Sequence, residues 1–133
     1  MAGNVTGFQR PFTFRATEGY ETVGIDQAVV YGNNMREVVV PSEDNLVPVG
    51  IVTYQYEDRD GATVSVQLDR IASAPAAEAI QYGEEVIVAA GGEIKPASSV
   101  GVGNVANILG EAQNTVSAGQ LVQVLIRPRA KTV

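Results

Sequence analysis

The fifteen acidic residues are the only normally negative side chains in this 133-residue chain, and seven of them gather in three short runs. Glu57, Asp58 and Asp60 surround Arg59, while Glu43-Asp44 and Glu84-Glu85 are adjacent pairs. Glycoside cleavage needs two carboxylates about 5 to 9 Å apart across a cleft, one with its pKa raised by burial. Each of these pairs lies in a polar turn with nothing apolar to bury it, so they read as solvated turn acids. Glu57-x-Arg59-Asp60-Gly61 offers oxygen ligands near a glycine, but lacks the alternating spacing and closing glutamate of a calcium loop. Gly101-Val102-Gly103-Asn104-Val105-Ala106 opens like a dinucleotide fingerprint, yet no acid suited to a ribose follows at the right distance and no convincing helix follows. Ser42, Ser65 and Ser117 have no histidine to activate them, and Lys95 sits at a strand end flanked by Glu and Pro. With neither Cys nor His, thiolate and imidazole chemistry are absent altogether. The expectation is a chain that is not an enzyme and uses no cofactor or metal.

Nine basic against fifteen acidic residues leave a formal charge of -6, which argues against gripping a phosphate backbone. Arg10, Arg15, Arg127, Arg129 and Lys131 crowd the two ends of the chain, interleaved at the start with Phe8, Phe12 and Phe14. Two readings stand side by side. In one, Phe12 and Phe14 are core residues and the arginines are rim charges. In the other, the first residues form an arm whose Phe8, Arg10 and Phe12 anchor a protein partner, both residue types being favoured at hot spots. Met1 to Gly7 lacks the charged start and apolar run of a secretory signal, and no stretch is long and apolar enough to span a bilayer. Neither nucleic acid nor membrane is an expected partner.

The elements that must position these residues are strands. Val, Ile, Thr and Tyr collect in short runs punctuated by Gly, Asn, Asp or Pro, and 45% of residues are hydrophobic, enough for one core. Runs start at Pro11 to Ala16, Ala28 to Tyr31, Arg36 to Val40 and Val49 to Tyr54, and Thr63 to Asp69 alternates most cleanly: Val64, Val66 and Leu68 inward, Ser65, Gln67 and Asp69 outward. Val86 to Ala89 and Glu93 to Lys95 flank Gly91-Gly92, and Ile108 to Ala112 precedes a last strand from Leu121 to Arg127. That strand is apolar on both faces, Leu121 and Leu125 lying opposite Val122, Val124 and Ile126, which marks a central position or a contact between subunits. Residues 74–81 leave room for one short helix or an Ala/Pro-rich loop, and Ser98 to Asn107 reads as a long loop.

A repeat runs through this pattern. Val49-Gly50-Ile51 matches Leu109-Gly110-Glu111 at a spacing of 60, and Gly61 to Val66 matches Gly119 to Val124 at 58. The organisation expected is an arm over residues 1–10, one β domain over 11–128 with duplicated parts near 28–69 and 86–127, and a tail over 129–133. A compact β-barrel or β-sandwich would accommodate two such units.

The second half then carries a resemblance. Gln81 to Val88, Gly92-Glu93-Ile94-Lys95-Pro96, Ile108-Leu109-Gly110-Glu111-Ala112 and Val116 to Pro128 resemble the small capsid decoration, or cement, proteins of tailed double-stranded DNA bacteriophages. In that family a Gly-acid-x-Val strand, a short Gly turn, a returning I-G-x-A strand and a final A-G-x-x-V-x-V-x-L strand recur in this order. Ile51-Val52 stands where the second half has Glu111-Ala112, and the loop from Tyr54 to Asp60 is longer than its counterpart. The resemblance implies an all-β, non-enzymatic virion protein on the outside of the expanded capsid, made in the host cytoplasm. It implies bridging of major capsid protein subunits and assembly as a trimer, with Leu121 and Leu125 the candidates for the subunit contact. The alternatives are a capsid fibre or receptor-binding head module, and a cellular carbohydrate- or protein-binding β module whose tyrosines would stack on sugars.

Overall fold

The computed structural model describes residues 13–16, 23–58 and 61–133, with side chains described except at 56–58, 61 and 62. The arm residues Phe8, Arg10 and Phe12, and Arg59-Asp60 of the charged loop, lie outside the described residues. Among the described residues, ten strands follow in chain order: β1 (Thr13–Ala16), β2 (Ala28–Tyr31), β3 (Val38–Val39), β4 (Pro48–Asp58), β5 (Gly61–Gln67), β6 (Arg70–Pro75), β7 (Glu85–Ala89), β8 (Glu93–Pro96), β9 (Val105–Ala112) and β10 (Leu121–Thr132). The fold is all-β, as its alternating patterns require. Among the described residues the only helical turns are the 3-10 segments Ala90–Gly92 and Ala97–Val100.

The strands form two five-stranded antiparallel sheets with the same connectivity, β1-β5-β4-β2-β3 and β6-β10-β9-β7-β8. Each sheet curls until its outer strands meet. A parallel bridge joins Arg15 to Glu37 in the first sheet and Ala76 to Ile94 in the second. The equivalence extends to single residues. In the first sheet Val29 pairs with Gly50 beside a register shift; in the second, Val86 pairs with Gly110 beside another. A β-carbon on Gly50 would overlap the Gln67 carbonyl oxygen, and one on Gly110 would overlap that of Leu125. Close approach of the backbone of the fifth strand therefore demands glycine at both places.

Four turns share one chemistry: Gly24 to Gln27, Asn34 to Glu37, Gln81 to Glu84 and Ser117 to Gln120. Their third residues, Asp26, Arg36, Gly83 and Gly119, all have φ between 59° and 88°. The Gln or Glu at the fourth position accepts the first residue's N–H through Oε1, at 2.9 Å in Asn34–Glu37, 2.7 Å in Gln81–Glu84 and 2.8 Å in Ser117–Gln120. Gln27 does the same for Gly24. Each turn delivers the chain directly into a strand or bridge. The resembling Gly-acid and Gly-Gln motifs are thus turns whose side chain satisfies a backbone donor that would otherwise be lost.

Two main cores result. Phe14, Val23, Val29, Val38, Val49, Val52, Val64 and Val66 fill the first sheet. The second sheet encloses Ile80, Val86, Val88, Ile94, Leu109, Val122, Val124 and Ile126, and this core also takes in Ala28, Val30 and Ile51 from the outer face of the first. The inner face of one sheet is therefore packed against the outer face of the other. A third, smaller cluster places Ala97 and half-buried Val100 and Val133 over Ile87, Ala106 and Ile108, on the opposite side of the second sheet.

Four sequence readings need correction. Residues 74–81 hold no helix: Ala74 and Pro75 end β6, in which Ala72 and Ala74 alternate inward against Val124 and Val122, and small side chains suit that crowded interior. The strand expected from Arg36 shrinks to Val38–Val39, because Arg36 sits in the left-handed region (φ 59°) with its guanidinium 4.5 Å from the Phe14 ring centroid. Val105–Asn107, expected in a loop, already belong to β9. Residues 129–132, expected as a tail, continue β10 and pair with β9 through Thr132–Val105.

Candidate partner-binding surfaces

Strand alternation divides β10 into two rows. Val122, Val124 and Ile126 point into the core, and Leu121, Gln123 and Leu125 point away from it. β6 lies alongside with Pro75, Ser73 and Ile71 opposite those three residues in the register. Ile71 is 53% and Leu121 50% exposed, while Leu125 is half-buried between them and Glu111. The two leucines singled out from the sequence therefore share one outward face. Ile71 completes it, and was missed because residues 70–75 did not read as a strand.

Beyond Leu125 the same sheet carries charge. Arg129 donates to Glu85 at 2.7 Å and to Glu111, Lys131 donates to Glu85 at 2.9 Å, and Arg127 lies 3.1 Å from Glu111. The basic C-terminal residues are thus paired within the sheet rather than left as rim charges. Glu85 is no solvated turn acid either: hydrogen bonds from Lys131 and then Arg129 outweigh its burial and hold its carboxyl below the usual glutamate value. A second pair ties the sheets together. Lys95 donates to Asp44 at 2.6 Å and the Ala90 N–H donates to Asp44 at 2.9 Å, lowering the Asp44 pKa and raising that of Lys95. Among the described residues the buried acid is Glu37, only 5% exposed, which accepts from the Asn34 N–H and side-chain amide.

A cleft of about 340 Å³ opens where the sheets join, lined by Val47, Pro48, Asn107, Pro128, Arg129 and Ala130. Val47 is 59% exposed, and nearby Val105, whose carbonyl accepts from Asn45, is 54% exposed. The cleft presents apolar surface and a guanidinium already engaged by two carboxylates, with no nucleophile–base pair along its lining. Among the described residues, no group of three His, Cys, Asp or Glu side chains could hold a metal ion. Tyr31, Tyr54 and Tyr82 are exposed on β2, on β4 and on the turn before β7. What this surface offers is contact area: apolar rows, a paired-charge rim and apolar turn tips at Ile25, Met35 and Tyr82.

No family model and no curated protein matches the sequence. Among solved structures, the fold is similar to the head fiber gp8.5 N base of bacteriophage phi29, with a TM-score of 0.63 and 19% sequence identity. The match covers 87% of this chain and 92% of that one. At this identity the likeness is one of fold.

Proposed function

We propose that this chain is a structural protein of a tailed-phage virion, carried on the outer surface of the expanded head, where it bridges major capsid protein subunits. The observation that carries the reading is the fold likeness to a phage head-fiber base across nearly the whole of both chains. The strand and turn motifs that resemble capsid decoration proteins are independent support. They fall at defined structural places: Gly83-Glu84 and Gly119-Gln120 in the capped turns, and Gly110 against β10. The role proposed is non-enzymatic and needs contact area rather than a reactive group. The arm residues Phe8, Arg10 and Phe12 are proposed as capsid anchors, and the assembly as a homotrimer.

A second reading, favoured by the same neighbour, makes this chain the base of a head fiber. It shares the outer-capsid location but requires sparse occupancy instead of a lattice. Mixing the purified protein with expanded, decoration-free capsids and imaging the product separates the two. Saturable binding near one copy per capsid subunit supports bridging, and occupancy at a few sites per head supports a fiber base. Failure to bind any such capsid overturns both.

A further inference from the structure

The two sheets calibrate each other. On the first sheet, outward-facing Ala28 and Ile51 pair with each other and are fully buried against the second sheet. The register places Glu85 and Glu111 at the equivalent positions of the second sheet, where they also pair with each other. Among the described residues no second unit covers them there, and both carry ion pairs. Within this molecule an outer face covered by protein is apolar, and its uncovered equivalent is charged.

The β6–β10 face breaks that rule. Pairing of Val64 with Phe14 and of Val122 with Ala74 sets Thr13, Thr63, Ser65 and Gln67 of the first sheet against Ser73, Leu121, Gln123 and Leu125 of the second. All four in the first sheet are polar and partly exposed. In the second, Leu121 and Leu125 replace Thr63 and Gln67, with Ile71 opposite Leu125, and Ile71 and Leu121 are about half exposed in the single chain. From this contrast we infer that a second copy of this chain covers the outward face of β6 and β10, with Ile71, Leu121 and Leu125 at the centre of the contact.

Charge favours a second copy over a foreign partner. The end of the face at Leu125 is bordered by exposed Asp69, Arg70 and Arg127 and by half-buried Glu111, two of each sign. In a chain with a net charge of -6, this border is balanced in sign, so it adds no net repulsion between two like molecules that meet there. The apolar contribution comes from three side chains, two of them half exposed, well short of the roughly 800 Å² per partner of a standard stable interface. Association through this face is therefore weak and concentration-dependent. The contact between the two sheets of one chain is not repeated between chains, because Glu85 and Glu111 would have to enter an apolar core.

The test is sedimentation velocity from micromolar to millimolar concentration on the full chain and on L121T/L125Q. That variant carries the residues found at the equivalent positions of the first sheet, so it suits the strand. The wild type is expected to show a rising average mass, and the variant to remain a monomer with an unchanged circular dichroism spectrum and melting curve. A wild type that stays monomeric throughout overturns the inference, as does a folded variant that associates like the wild type. If the variant does not fold, I71S, at the edge strand, replaces it with the same two outcomes. The measurement needs no capsid, so its failure is distinct from failure of the virion role.

Discussion

Asn107 donates its backbone N–H to Asn45 Oδ1 at 2.7 Å and its side-chain amide to the Asn45 carbonyl at 2.8 Å. Asn45 in turn donates Nδ2 to the Val105 carbonyl at 2.9 Å and its own N–H to that of Val88 at 2.9 Å. One residue of the loop before β4 is thereby bonded to both β7 and β9 of the other sheet. Its φ of 65° is one that Asn tolerates better than most residues. The partly buried Leu46 follows directly, packed against the shared core.

Replacing Asn45 by Ala removes two side-chain hydrogen bonds and leaves a β-carbon at positive φ. The expected loss is about 2–3 kcal/mol of unfolding free energy. N45G should recover only the small conformational part, and N45D should stay destabilised because an oxygen would face the Val105 carbonyl. Urea denaturation of the three variants checks this. An N45A variant as stable as the wild type would show that the Asn45 side chain adds nothing to the contact between the two sheets.

Gly50 and Gly110 should be intolerant of any side chain, each for the same reason. A β-carbon at either position meets a backbone carbonyl, which cannot rotate away as a side chain could. G110A and G50A are each expected to lose at least about 2 kcal/mol, the upper part of the range for overpacking. Gly119 provides the contrast: its φ is 87° with open space around it, so G119A should cost about 1 kcal/mol of backbone strain. Equal melting-temperature losses for G110A and G119A would contradict this ranking.

Much of this architecture was legible in the residues. Thr63 to Gln67 and Leu121 to Ile126 show alternation because each strand has one buried and one outward face. The spacing of 60 pairs Gly50 with Gly110, which the structure finds at equivalent points of the two sheets. Residues 70–75 were not legible, because Ala and Ser at alternating positions carry almost no hydrophobic contrast. The Asn45–Asn107 clasp was hidden as well: two asparagines 62 residues apart have no local pattern, and only the packing of the two sheets brings them together. Leu121 and Leu125 could be read as surplus apolar surface, but the polar counterparts that give them meaning emerge only from the register of both sheets.

The ion pairs set a pH dependence with a definite sign. Asp44 and Glu85 have folded pKa values below their ordinary 3.8 and 4.5, chiefly through hydrogen bonds from Lys95 and Lys131 respectively. Their stabilisation is present at neutral pH and is lost as pH falls below those values through the lowered folded ones. Lys95 is raised above 10.5 by the hydrogen bond it donates to the Asp44 carboxylate, so its share is complete below 10.5 and lost as pH rises through the folded value. The Asp44–Lys95 pair is 40% and 29% exposed, so its contribution is about 0.2–1 kcal/mol. D44N should flatten both the acid and the alkaline limbs of a melting-temperature profile. An unchanged profile would remove this pair from the account.

Ile51 and Glu111 occupy equivalent positions, and the same exchange should act with opposite severity at the two. Ile51 is completely buried among residues of both sheets, so Ile51→Glu places a carboxylate in an apolar core with no described cation beside it. A loss of about 3–5 kcal/mol is expected, enough to unfold a marginal domain. Glu111→Ile removes a partner from Arg127 and Arg129, but Glu85 still pairs with Arg129, and Arg127 is 62% exposed and can turn to water. That variant should fold with a loss of about 1 kcal/mol or less. Its added apolar area adjoins Leu125, its neighbour in the register. E111I should therefore associate at lower concentration than the wild type, through the enlarged face of β6, β10 and β9. Guanidinium denaturation compares the stabilities, and sedimentation reads the association. If E111I is folded and less associated than the wild type, the charge at Glu111 helps to form the contact instead of bordering it, and the neutral-border argument fails.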